Sequence, residues 1–107
     1  MAPTQFEIKF RALQRLVKEE SYYQQDLQEQ EAHVKSLENL PNVDPFDLKK
    51  QKEVMEDTQR LLPTLHVKIK EFKDDLEAFL ESYKGSEDVS SAHAIIRSAD
   101  EVLKIKA

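Results

Sequence analysis

The side chains that could do chemistry are few and scattered along the chain. The three histidines are His33, His66 and His93, and none forms the HExxH pattern of a zinc-protease helix. Glu29 lies four residues before His33, on the same face of a helix, but two ligands are too few for a metal site. Ser90 is close to His93 in sequence, yet no third group is placed to orient a base. The chain has one glycine and no cysteine, so we expect neither a glycine-rich phosphate-binding loop nor thiolate chemistry. We therefore expect no enzyme, no metal and no cofactor.

Composition indicates one helical domain spanning residues 1–107. Of the 107 residues 35% are charged, and only one is glycine, which favours long helices over strands and turns. The net charge of −5 argues against a nucleic-acid binder. No run approaches the about 18 apolar residues of a membrane span, and Glu7 and Lys9 interrupt any leader-like segment. We expect a soluble, cytosolic protein.

Three helices are predicted, at about residues 4–39, 45–84 and 87–105. Thr4 can cap the first, with Glu7 at the capping-box spacing, and Pro41 disfavours its continuation. Asp44 can cap the second, followed by Pro45 at the first helical position. A left-handed Gly85 is expected to end it, and Ser86 to begin the third helix.

The apolar positions of the second helix predict that it continues through Pro63. They recur every seven residues without slipping, at Leu48, Met55, Leu62, Ile69, Leu76 and Tyr83. A true break would usually shift this register, so we expect one helix with a kink at Pro63. The first helix has a similar seam, in which Glu20 and Gln30 are the polar interruptions.

Charge patterning predicts how the two long helices pair. Residues 7–18 carry four bases and one acid, whereas residues 19–38 carry six acids and one base. The order is reversed in the second helix, with seven bases and four acids over residues 48–73, and six acids and one base over 74–88. In an antiparallel pair each basic stretch lies beside an acidic one, which selects this orientation.

The helix lengths predict that the third helix is too short to cover the whole pair of long helices. At 1.5 Å per residue the helices span about 50, 60 and 28 Å, so the third covers the second only back to about Leu65. We expect an all-α, elongated antiparallel three-helix bundle with left-handed, coiled-coil-like packing, two long helices and one shorter C-terminal helix. Its far end is then a two-helix arm, unable to bury all of its apolar residues: Tyr22, Tyr23, Leu27, Val34, Leu37, Phe46, Leu48, Val54, Met55 and Leu61.

Several segments together resemble one known family. The stretches DPFDLKKQ, EVMEDTQRLLPTL and KEESYYQQ, with MAPTQ, QEAHV and SEDVSSAHAII, occur in an order and spacing similar to the tubulin-binding cofactor A family, most of all to its fungal members. The resemblance covers nearly the whole chain. It implies a non-catalytic three-helix chaperone that captures quasi-native β-tubulin on the pathway to the α/β-tubulin heterodimer. It also implies a cytoplasmic, cytoskeleton-associated protein that has other tubulin-folding cofactors as further partners.

The arm and its charges suggest which residues would meet this client. Apolar surface rimmed by charge is typical of protein-binding sites, and an acidic client such as β-tubulin requires local basic patches. The predicted β-tubulin-binding residues are Lys18, Tyr22, Phe46, Lys49, Lys50, Arg60, Leu61 and Lys68.

A second hypothesis fits the same residues. A homodimer could cover the arm with a second copy, as in a helical structural or adaptor protein of a cytoskeletal or tethering complex. The sequence leaves open the oligomeric state, the helical face that meets the client, the affinity, and whether folding assistance or storage of excess β-tubulin is the role.

Overall fold

The chain forms three helices and an elongated body. The computed structural model describes residues 2–83, 85 and 88–105. Helix α1 spans Gln5–Glu38, α2 spans Pro45–Glu81 and α3 spans Ser90–Ile105, and no strand occurs within those described residues. The principal extents are 65 × 32 × 18 Å. The predicted all-α fold of two long helices and one shorter C-terminal helix is confirmed.

The N-terminal ends of the long helices are capped as their sequences predict. The Thr4 hydroxyl accepts a hydrogen bond from the Glu7 amide at 3.1 Å. The Asp44 carboxylate accepts one from the Phe46 amide at 2.9 Å, with Pro45 at the first helical position. Each cap satisfies an amide that has no partner inside its own helix.

The end of α2 differs from the prediction. The helix ends at Glu81 rather than near residue 84, which lies outside the described residues. Its last turn tightens, since the Ser82 amide donates to the Phe79 carbonyl and the Tyr83 amide to the Leu80 carbonyl. These bonds satisfy the terminal carbonyls, so a left-handed glycine is not needed, and Gly85 does not have a positive φ. A Cβ at Gly85 would instead overlap the Tyr83 ring, and this close approach favours glycine there.

Helix α3 begins later than predicted. It starts at Ser90 rather than near residue 87; Ser86 and Glu87, the expected first residues, lie outside the described part of the chain. Asp88 supplies the local cap, because its carboxylate accepts hydrogen bonds from the Ser90 amide at 2.9 Å and the Ser90 hydroxyl at 2.7 Å. These two bonds lower the pKa of Asp88 from its usual 3.8.

The long helices pair antiparallel, and ion pairs join the stretches of opposite charge. Lys9 near the start of α1 binds Asp75 near the end of α2 at 2.7 Å. At the other end of the pair Glu38 binds Lys52 at 3.5 Å. The predicted charge pattern is therefore realised in the contacts. Helix α3 is tied to α2 by Lys73, whose hydrogen bond to Asp100 raises the pKa of the ammonium group.

The buried apolar core contains residues of all three helices. Its buried members are Phe6, Leu13, Leu65, Ile69, Leu76, Ala92 and Ala99. The two fully buried alanines let α3 lie close to the long helices. On α2 this cluster stops at Leu65, two residues beyond Pro63, as the difference in helix lengths predicts. Beyond it α1 and α2 form the arm, in which Leu62 and Val34 are buried.

A polar pair is buried between the long helices at this boundary. Glu20 occupies a seam position of α1, and its carboxylate lies 2.8 Å from Nε2 of His66. Gln24 donates to the same carboxylate at 2.9 Å. Both Glu20 and His66 are buried, so these hydrogen bonds replace part of the water that the side chains lose, while Nδ1 of His66 is buried without a hydrogen-bond partner.

We predict that Glu20→Ala lowers the free energy of unfolding by about 1–3 kcal/mol, since it leaves buried His66 without this partner. Replacing both Glu20 and His66 by Leu should recover much of the loss, because an apolar pair needs no hydrogen bond. Urea unfolding followed by circular dichroism measures both, with exposed Glu31→Ala as the control. If Glu20→Ala lowers the free energy of unfolding no more than Glu31→Ala does, the buried hydrogen bond between Glu20 and His66 does not stabilise the fold.

Acid should weaken the start of α3 through Asp88. The folded-state pKa of Asp88 is lowered, so its ionised form contributes stability above the unfolded-state pKa, and that stability is lost as pH falls through the folded value. We expect Asp88→Asn, which keeps the acceptor, to show less loss of melting temperature than the wild type below about pH 4. Asp88→Ala should melt lower already at pH 7. If the melting temperatures of the wild type and Asp88→Asn fall by the same amount as the pH is lowered, the Asp88 carboxylate does not stabilise the start of α3.

Candidate client-binding surface

Large apolar side chains are exposed along much of the molecule, and not on the arm alone. The exposed residues are Ile8, Tyr22, Leu40, Phe46, Val54, Leu61, Val67 and Phe72. Of the other residues predicted to be left bare on the arm, Val34 is buried and the rest are half-buried. The two-helix arm therefore seals more of its own surface than the difference in lengths predicts, because its seam residues pack against each other.

Two hollows lie in a groove between α1 and α2, on the side away from α3. The first, of about 320 Å³, is lined by Ile8, Lys9, Ala12, Glu71, Phe72 and Asp75. The second, of about 170 Å³, is lined by Glu19, Tyr23, Leu61, Thr64, Leu65 and Lys68. We call these residues together the apolar groove. On α2, Phe72, Lys68 and Asp75 are turned by about 100–160° around the helix from Lys73, which faces α3.

A third hollow lies at the start of α2 and is basic. It has a volume of about 250 Å³ and is lined by Phe46, Lys49, Lys50 and Glu53. Phe46 is 70% exposed, the highest value among the large apolar side chains. An accessible aromatic ring beside two ammonium groups can contact both apolar and acidic surface of a partner. We call Phe46, Lys49 and Lys50 the basic end.

The structure distributes the eight predicted binding residues over several places. Leu61 and Lys68 lie together in the apolar groove, and the three residues of the basic end lie together. Lys50 and Leu61 are eleven residues apart, which corresponds to about 17 Å along a helix. These two groups therefore belong to separate parts of one long surface.

The other three predicted residues lie outside these hollows. Lys18 and Tyr22 are neighbours on α1, with the ammonium 6.0 Å from the ring centroid, in a cation–π contact. Arg60 is exposed and bound to Asp57 at 2.7 Å, so its charge is partly compensated by its own helix.

Sequence reasoning missed four of these exposed apolar residues, namely Ile8, Leu40, Val67 and Phe72. Ile8 and Val67 lie off the seven-residue seams, and an apolar residue off a seam is the signal that could have identified them. Phe72 lies seven residues from both Leu65 and Phe79, but it is 41% exposed because α3 does not extend over its side of α2. Ile8 and Phe72 extend the exposed apolar surface to the three-helix end.

No metal-binding cluster is formed by the described residues. Among them no group of three or more His, Cys, Asp or Glu side chains could hold a metal ion. His33 and His93 are exposed, and His66 is used in the buried pair with Glu20. What the surface offers is apolar hollows with charged rims, which suits binding of another macromolecule.

Known proteins resemble this chain over nearly its whole length. The profile of the family described as Tubulin binding cofactor A matches residues 1–103. The chain belongs to the tubulin binding cofactor A family. A tubulin-specific chaperone A from Saccharomyces cerevisiae is 62% identical over 106 residues, which are 99% of this chain and 100% of the relative. The Homo sapiens tubulin-specific chaperone A is 27% identical over 84 residues, covering 78% and 77% of the two chains.

A solved structure agrees with the fold. It is described as a beta-tubulin binding post-chaperonin cofactor, and it superposes with a TM-score of 0.89 at 61% identity, over 94% of this chain and 99% of its own. The resemblance to this family noted in the sequence, and its fungal character, are thus confirmed. In the part of this family member that the structure describes, no helix is long and apolar enough to cross a bilayer.

Pro63 lies beside the apolar groove, inside an uninterrupted α2. A proline has no N–H to donate to the carbonyl four residues earlier, that of Gln59, and its ring crowds that turn. We predict that Pro63→Ala raises the free energy of unfolding by about 1–3 kcal/mol and straightens α2. Spin labels on Glu53→Cys and Ala78→Cys would then move apart, whereas the neighbouring Thr64→Ala should leave their distance unchanged. Equal distances in wild type and Pro63→Ala would show that Pro63 does not bend the helix.

Proposed function

We propose that this member of the tubulin binding cofactor A family is a tubulin-folding chaperone, which captures and stabilises quasi-native β-tubulin on the pathway to the α/β-tubulin heterodimer. The observation that carries the proposal is whole-length similarity to a tubulin-specific chaperone A, at 62% identity over 99% of the chain. The match to the solved structure described as a beta-tubulin binding post-chaperonin cofactor supports it through the fold.

The proposed mechanism is stoichiometric binding without catalysis or a cofactor. A folding client exposes surface that will later contact its assembly partner, and exposed apolar groups promote aggregation. The chaperone covers part of that surface with its long helices and releases it when a partner or a competing tubulin-folding cofactor binds more tightly. This activity fits a cytoplasmic, cytoskeleton-associated protein.

We place the first contacts with this client at the basic end. The chain as a whole has a net charge of −5, so binding to an acidic protein depends on local positive surface. Lys49 and Lys50 supply such surface beside exposed Phe46. Lys18, Tyr22, Arg60, Leu61 and Lys68 extend the proposed contact along the helices.

The decisive test is co-purification of the immobilised chain with isolated α-tubulin and β-tubulin in separate experiments. Selective retention of β-tubulin supports the proposal, and equal retention of both or of neither overturns it. A constitutive dimer in light scattering, combined with no tubulin retention, would favour a homodimeric structural or adaptor protein instead.

We predict that Lys49→Glu with Lys50→Glu weakens β-tubulin capture about tenfold or more, because two attractive charges become repulsive. Arg97→Glu with Lys104→Glu is the matched control, since it changes the net charge equally at exposed positions on α3. Both variants should retain wild-type helicity in circular dichroism. If the control weakens capture as much as the test variant, overall charge rather than the basic end determines binding.

A further inference from the structure

We propose that the arm opens as a unit at Pro63 while the three-helix end stays folded. In the open form the first half of α2 swings away from α1, and the seam between them meets water. The inference concerns the chain alone, so it does not depend on the proposed function. Three features carry it, namely the sparse burial in the arm, the buried polar atoms without partners in the seam, and the proline at the boundary.

The arm buries far fewer side chains than the three-helix end does. Over residues 24–62, all of which the structure describes, only Val34 and Leu62 are buried. The three-helix end has a continuous cluster of buried residues from all three helices, and further apolar residues pack against it. Because the free energy that holds helices together grows with the apolar surface they bury, the arm separates far more readily than the three-helix end.

Two polar atoms between the long helices are buried in the closed form without a hydrogen-bond partner in the protein. They are Oε1 of Gln30, at a polar position in the seam of the arm, and Nδ1 of His66, at the boundary of the arm. A buried polar atom without a partner costs free energy, because it has lost its water and gained nothing in exchange. Opening would return both atoms to water and would therefore offset part of the loss of apolar contacts.

The ion pair that joins the two helices of the arm holds them weakly. Lys52 Nζ lies 3.5 Å from the Glu38 carboxylate, and both side chains are nearly half exposed. A pair so open to solvent is screened and contributes little to holding the helices together. At the three-helix end the corresponding pair of Lys9 and Asp75 is closer, at 2.7 Å, and Lys9 is mostly buried.

Pro63 gives α2 a place to bend. Its ring nitrogen has no hydrogen to donate to the Gln59 carbonyl, so the helix lacks one backbone hydrogen bond there, and helices bend most sharply at such positions. On α2, Pro63 lies between Leu62, which is buried in the arm, and Leu65, where the core cluster ends. The weak point of the helix therefore coincides with the change from a two-helix to a three-helix structure.

Amide hydrogen exchange of the full chain tests the opening. Helices of this length are only marginally stable once separated, so their amides exchange when the arm opens. Leu27 and Met55 lie inside the arm, away from the helix ends. We expect their protection factors to be about tenfold or more below those of Leu13 and Ile69 at the three-helix end. Equal protection at the two ends would overturn the inference.

Low concentrations of urea distinguish a concerted opening from local fluctuations. If the helices of the arm separate, the seam becomes accessible and exchange in the arm accelerates as urea is added. Amides on both helices of the arm should then respond with the same slope. Exchange in the arm that does not respond to urea would contradict a concerted opening.

A covalent clamp tests whether the helices separate. Because the chain has no cysteine, Glu38→Cys with Lys52→Cys can be bridged by a short bismaleimide. Bridging should raise protection in the arm about tenfold or more over the same variant before bridging. Bridging Lys9→Cys with Asp75→Cys at the three-helix end is the matched control, and should change protection in the arm less than about twofold. If the clamp has no more effect than the control, the helices do not separate and the inference is wrong.

Substitution of Gln30 tests the contribution of the buried polar atoms. Gln30→Leu should raise protection in the arm about threefold or more, since an apolar side chain needs no hydrogen-bond partner. Gln25→Leu makes the same change at an exposed position of α1 and should alter protection less than about twofold. Equal effects of the two variants would show that the buried amide does not favour opening. This pair decides the question if either cysteine variant fails to fold.

Discussion

The seam between the two long helices is the constraint on which the rest of the structure depends. Leu13 on α1, with Ile69 and Leu76 on α2, is fully buried, and the buried positions recur at the seven-residue spacing. Because this spacing keeps the same face turned inward over many turns, the two helices stay in contact along their length. The positions of α3, the groove and the basic end all follow from that pairing.

Because the third helix is short and packs on one side of the long hairpin, the two sides of the hairpin differ in how much apolar surface they expose. Helix α3 covers one side of the seam with Ala92 and Ala99, and on α2 the core cluster that contains them ends at Leu65. The other side receives no helix of its own, and it exposes apolar residues even at the three-helix end. A protein built in this way offers a long client an extended surface without opening its core, which suits a chaperone.

The buried pair of Glu20 and His66 lies where the bundle becomes an arm. A polar pair in an apolar seam contributes little net stability, but shifting the helices by one turn would leave both side chains buried without a partner. The pair therefore favours one register of α1 against α2. The register in turn places Ala12 beside Phe72 and Tyr23 beside Leu61, so the shape of the apolar groove depends on it.

The sequence by itself determined the helical class, the caps at Thr4 and Asp44, the antiparallel pairing and the length of the three-helix core, because these depend on local propensity, periodicity and charge order. It also identified the family. The tertiary structure decided the tight turn after α2, the late start of α3 and the partner of Glu20, since each depends on a contact between residues distant in sequence or on the path of a short loop. Exposure of Phe72 was decided in the same way, because its spacing of seven residues from Leu65 and Phe79 predicts only that it faces a neighbour, and packing shows on which side that neighbour is missing.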